Sequence, residues 1–175
     1  ILEGIWESVI FAFIPISTLH FITTTAGYGQ YLAYLSLVGT IAGLLLCHFS
    51  DKLGRRSFLL TPISLILSIL TILLIWGSKS LPLWILVTSA IQFMIPIFWN
   101  ISTALMVDQN LDLKIAFPGR EIVLAFGRLL GLSLTFILVS LSQINLLLII
   151  LALVILALPA YLYYQSKITK QFVYR

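Results

Sequence analysis

Long apolar runs separated by short polar breaks organise the whole chain. A helix of roughly 20 apolar residues is long enough to cross the hydrocarbon of a bilayer. Six such runs, 4–24, 31–50, 57–76, 81–107, 119–141 and 144–165, take up nearly all of the 175 residues. Transmembrane strands would instead alternate over about ten residues, and the continuous run from Leu146 to Leu158 shows no alternation. The pattern predicts an all-α integral membrane protein with six transmembrane helices and short hairpins, in a single domain over residues 1–175.

Composition sharpens the class. Hydrophobic residues make up 61% of the chain and its mean hydropathy is +1.12, whereas soluble domains are about half apolar. Only 9% of residues are charged, and the basic ones are unevenly placed. Lys52, Arg55 and Arg56 follow the second run, Lys114 and Arg120 precede the fifth, and Lys167, Lys170 and Arg175 follow the sixth, leaving Lys79 alone on the opposite side. Short cytoplasmic loops retain Lys and Arg, so both ends are expected to be cytoplasmic, with a bacterial plasma membrane as the expected location. The net charge of +4 is accounted for by this asymmetry and by anionic lipid; no nucleic-acid partner is implied. The single Cys47 allows no intrachain disulfide and reads as a small packing residue. The chain starts at Ile1 rather than Met, with Glu3 and Glu7 where a basic leader would stand, and a start upstream is expected.

Two groups of three helices, opposite in orientation, follow from six spans with both ends on one side, an arrangement common in transporters. Pro15 in the first run and Pro96 in the fourth fit a repeat of that kind. Asp51-Lys52-Leu53-Gly54-Arg55-Arg56 is a dense charged loop between two membrane-length runs. Charges there must sit at a water interface, since leaving them in hydrocarbon costs several kcal/mol. Asp51 can cap a helix end, Gly54 permits a tight turn, and Arg55 and Arg56 are fork-shaped donors for carboxylates.

This loop resembles the one between the second and third helices in each half of the major facilitator superfamily, whose pattern is Gly-x-x-x-Asp-x-x-Gly-Arg-Arg/Lys. The leading glycine is replaced by Cys47. The resemblance covers the chain as one six-helix half of a twelve-helix transporter. It implies a longer chain of which this is a fragment, or a second copy completing it. The opening Glu3-Gly4-Ile5-Trp6-Glu7-Ser8 and Gly119-Arg120-Glu121-Ile122-Val123-Leu124 look like the C-terminal half of certain bacterial members, with an N-terminal half as the competing assignment. The implied function is secondary active transport of a small solute by alternating access around a central cavity.

Within that frame Asp51, Gly54, Arg55 and Arg56 form the conformational loop, and Asp108, Glu121 and Arg128 are its charge network. Arg128 lies within the fifth run, where an ionisable residue needs a partner and is a functional candidate by default. Glu121 is seven residues earlier, on the same helix face. Gly39-x-x-x-Gly43 and Gly127-x-x-x-Gly131 are small-residue strips where another backbone can approach. The first and fourth helices line the cavity in the resembling family. There Glu7 and His20 on the first, and Gln92, Trp99, Asn100 and Thr103 on the fourth, are the candidate cavity residues.

Enzymatic chemistry has no foothold in the sequence. There is no His-Glu-x-x-His motif and no glycine-rich phosphate loop, and His20 and His48 fall on different runs and opposite sides. No catalytic residue, metal or cofactor is expected. The alternative to transport is a stand-alone six-helix membrane subunit that dimerises or scaffolds a partner through its small-residue strips.

Overall fold

The computed structural model describes the backbone of residues 1–50, 56–109 and 112–173, and side chains within these except at 46–50, 56–59, 108–109 and 161–173. All regular structure among them is helical: α1 (Leu2–Thr18), α2 (Thr25–Ser50), α3 (Arg56–Gly77), α4 (Leu81–Gln109), α5 (Leu113–Ser140) and α6 (Ile144–Val173). Each helix falls on one of the six apolar runs. Three stretches are long and apolar enough to cross a membrane, namely Leu60–Gly77, Leu81–Val107 and Leu113–Ser140, and Ile144–Ala160 is a shorter apolar stretch.

Helix α1 ends six residues short of the expected 24. The last helical residue is Thr18. Its hydroxyl donates to the Ile14 carbonyl at 2.8 Å and accepts the Trp84 indole N–H at 2.8 Å. Beyond it, Leu19, His20 and Phe21 close tight turns onto Ile16, Ser17 and Thr18. The Thr24 hydroxyl then accepts the Gly27 N–H and caps α2. At the head of α5 the Asp112 carboxylate accepts the Lys114 N–H at 3.0 Å. The α5–α6 connection closes on Ser142, the one non-glycine with positive φ (58°) among the described residues. There the N–H groups of Ser142 and Gln143 bond back to the carbonyls of Val139 and Leu138, satisfying two orphan helix-end acceptors.

Helices α1, α3, α4 and α6 supply nearly all of the buried core; among the described residues α5 adds Leu138 and α2 adds nothing to the main cluster. Helices α1 and α4 run antiparallel along an aromatic seam of Trp6–Phe98, Phe11–Trp99 and Phe13–Trp84. Buried hydroxyls accept the indole N–H groups, Thr71 from Trp6 and Thr18 from Trp84. Ser68 on α3 donates to the Ala152 carbonyl of α6 at 3.0 Å. Helix α5 packs on α1, and α2 packs on α4. Both outer pairs are parallel: residues 1, 4 and 5 of α1 meet 127, 124 and 131 of α5, while Tyr31 and Gly39 meet Thr88 and Gln92.

Of the two small-residue strips, one carries a backbone contact. A Cβ on Gly127 would fall on the Ile1 carbonyl, and one on Gly131 would lie 2.6 Å from the Ile5 carbonyl; Gly4 faces the Leu124 carbonyl in the same way. Gly39 instead faces the Gln92 side chain, and Gly43 has open space. Proline does not single out the first and fourth helices, because α3, α5 and α6 contain Pro62, Pro118 and Pro159 alongside Pro15 in α1 and Pro96 in α4.

Candidate functional site

Three helices each contribute an i, i+4 stripe to one cleft, because residues four apart in a helix share a face. Glu3 and Glu7 come from α1, Trp99 and Thr103 from α4, and Arg120, Leu124 and Arg128 from α5; Glu121 completes the rim. The cleft has a volume of about 250 Å³. The close α1–α5 packing brings the acids to the bases. Arg120 Nη2 donates to Glu3 Oε1 at 2.8 Å, and Ser102 Oγ donates to Glu3 Oε2 at 2.9 Å. One turn further in, Arg128 Nε donates to Glu7 Oε2 at 3.0 Å.

Glu3 and Arg120 are both largely buried, whereas burial differs sharply across the second pair. The Glu7 side chain is 8% exposed and that of Arg128 41%, so the carboxylate is enclosed and the guanidinium reaches outward. A buried carboxylate needs such a partner, since an unpaired one would cost several kcal/mol in desolvation. Glu121, 60% exposed, stands 3.5 Å from Arg120 and 4.0 Å from Arg128, and bridges the two pairs weakly through water-accessible space.

These contacts revise the expected charge network. Arg128 is half-exposed rather than enclosed, and its short contact is to Glu7, with Glu121 at the edge of ion-pair distance. Arg120 and Glu3, absent from the expected network, form its shortest ion pair. Asp51, Gly54 and Arg55 lie outside the described residues. Arg56 begins α3 and Asp108 lies in α4, with both side chains outside the description.

The expected cavity residues divide three ways. Glu7, Trp99 and Thr103 share the charged cleft. Gln92 lines a second cavity, of about 190 Å³, between α1, α2 and α4, whose walls are mostly apolar and include Pro15, Tyr31, Ser36 and Thr88. Asn100 is exposed and donates back to the Pro96 carbonyl at 2.7 Å, and His20 is exposed in the turn after α1. Trp99 and Asn100 are neighbours in sequence but point to different faces, as the 100° step of a helix requires. No metal-ligand group of three or more His, Cys, Asp or Glu occurs among the described residues.

Comparison with known proteins finds no matching family model, no matching curated protein and no matching solved structure.

Proposed function

We propose that the chain is a membrane-spanning domain that moves a small solute by alternating access, as one half of a transporter completed by a second six-helix unit in the same chain or by a second copy. The observation that carries this reading is the pairing of the helices. Exchanging the first three helices for the last three turns the α1–α5 contact into α4–α2, turns α1–α6 into α4–α3, and returns α3–α6 to itself; all of these contacts are present, and only the smaller α5–α6 contact lacks an α2–α3 counterpart of its extent among the described residues. Both outer pairs are parallel and the central α1–α4 pair is antiparallel, as two inverted three-helix repeats require. Three helices among the described residues that are long and apolar enough to cross a membrane support the bilayer setting, and the distribution of basic residues supports an orientation with both ends cytoplasmic.

In this reading α1 and α4 form the wall of the central cavity, because both clefts open along them. The charged cleft belongs to the cytoplasmic end and the Gln92 cavity to the opposite end. Asp51, Gly54, Arg55 and Arg56 form the loop that biases which end is open. The Glu7–Arg128 and Glu3–Arg120 pairs sit where glycine holds two backbones in contact, so they travel with α1 and α5 as one body instead of breaking during the cycle.

Membrane-impermeant thiol labelling tests this. Thr103→Cys marks the charged cleft and Ser36→Cys the Gln92 cavity, each in a Cys47→Ser background. A bulky adduct at one position should lower or raise the labelling rate at the other several-fold, and from the opposite side of the membrane. Rates independent of each other, or both cysteines reached from one side only, would remove alternating access and leave the stand-alone subunit.

A further inference from the structure

We infer that the charged cleft between α1, α4 and α5 binds a small organic cation; the inference rests on the transport reading for its role, since that cation is then the carried solute. The accounting of charges and hydrogen bonds carries it. The walls hold three carboxylates, Glu3, Glu7 and Glu121, against two guanidiniums, Arg120 and Arg128. Glu3 is saturated, with Arg120 on one oxygen and Ser102 on the other. Glu7 is 6% exposed and uses only Oε2; its Oε1 takes no hydrogen bond among the described residues. The cleft thus offers an enclosed, half-satisfied carboxylate.

An anion is a poor fit. Its natural receptor would be Arg128, but that guanidinium already has Glu7 at 3.0 Å and Glu121 at 4.0 Å. A like charge brought within about 4 Å of a carboxylate is repelled, the more so where water is excluded.

A cation meets the reverse. Trp99 forms one wall, and its ring is held by Phe11 with centroids 5.7 Å apart at 34°. A cation over an indole face is attracted to the negative face of the ring, more strongly as water is excluded. Glu7 and Glu121 supply opposite charge from α1 and α5, and the Thr103 hydroxyl has no partner among the described residues. The volume of about 250 Å³ equals that of about eight waters at about 30 Å³ each, enough for a compact ammonium compound. Ile1, behind Gly127, is not among the walls.

Equilibrium binding to the purified chain in detergent tests the inference with three probes of one shape: choline, its uncharged carbon isostere dimethylbutanol, and the anion dimethylbutyrate. Choline should bind at least about tenfold more tightly than the alcohol, equivalent to about 1.4 kcal/mol, and the anion should not compete. Trp99→Leu should remove most of that preference. Glu121→Gln, at an exposed position whose loss leaves the fold intact, should weaken choline several-fold at unchanged melting temperature. Equal binding of the three probes, preference for the anion, no choline binding, or a choline affinity unmoved by Glu121→Gln would each overturn the assignment. The readout is independent of transport. Reciprocal thiol labelling without a choline preference would sink this inference alone, and choline binding without reciprocal labelling would sink the transport reading alone.

Discussion

The α1–α5 and α2–α4 interfaces are both parallel helix pairs on the flanks of the molecule, yet they are built from opposite materials. In α1–α5, glycines at 4, 127 and 131 let main chain touch main chain, and ion pairs cover one end of the seam. In α2–α4, side chains keep the backbones apart. The Tyr31 hydroxyl donates to Thr88 Oγ1 at 2.8 Å, the Tyr34 and Ser89 hydroxyls lie 3.1 Å apart, and Gly39 looks onto the flexible end of Gln92. Where no Cβ intervenes, two helices have one register and their charges are fixed by it. Where long side chains intervene, register can shift at the cost of a few hydroxyl bonds, each worth only about 0.6 kcal/mol on average between membrane helices.

The largest effect that distinguishes the two should come from paired glycine substitutions. Gly127→Ala places a methyl on the Ile1 carbonyl, with no flexible atom to yield, and should cost about 1–3 kcal/mol. Gly39→Ala meets the Gln92 amide at 3.1 Å, which can swing aside, and should be near neutral. Thermal unfolding in one detergent ranks them, and equal losses would break the comparison. Next in size is Glu7→Gln, which leaves Arg128 at best a neutral acceptor in place of the carboxylate at 3.0 Å. A loss of about 1–1.5 kcal/mol is expected, the difference between a charged and a neutral hydrogen bond, and a melting temperature equal to that of the parent would show that the pair is idle. Smallest is Tyr31→Phe, which deletes one donor while Thr88 still bonds to the Trp84 carbonyl. It should cost at most about 1 kcal/mol. A loss exceeding that of Gly127→Ala would make α2–α4 the more rigid interface and invert the argument.

Helix positions were largely legible in the sequence, because each apolar run stands alone between polar breaks. The end of α1 was not, since Leu19, Phe21 and Ile22 continue the apolar run beyond the last helical residue. The charged cleft was half legible. Glu3 and Glu7 at spacing four, and Arg120, Leu124 and Arg128 at multiples of four, are visible stripes in the sequence. Reading Arg128 against Glu121 on its own helix missed Glu7, because the partner depends on which helices are neighbours. Glycine held that signal: Gly4 between Glu3 and Ile5, and Gly127 beside Arg128, mark the faces on which α1 and α5 meet. On α4 the candidate cavity residues Gln92, Trp99, Asn100 and Thr103 spread over two cavities and open surface. Small polar side chains on an apolar helix are ambiguous in this way, because a bond to the preceding turn, as at Asn100, satisfies them without any ligand.

The turn between α1 and α2, from Leu19 to Thr24, carries the exposed His20. Backbone groups released at a helix end find no hydrogen-bond partner in hydrocarbon, so in a bilayer this turn has to meet headgroups or water. It is thereby a depth marker for that end of the helix bundle.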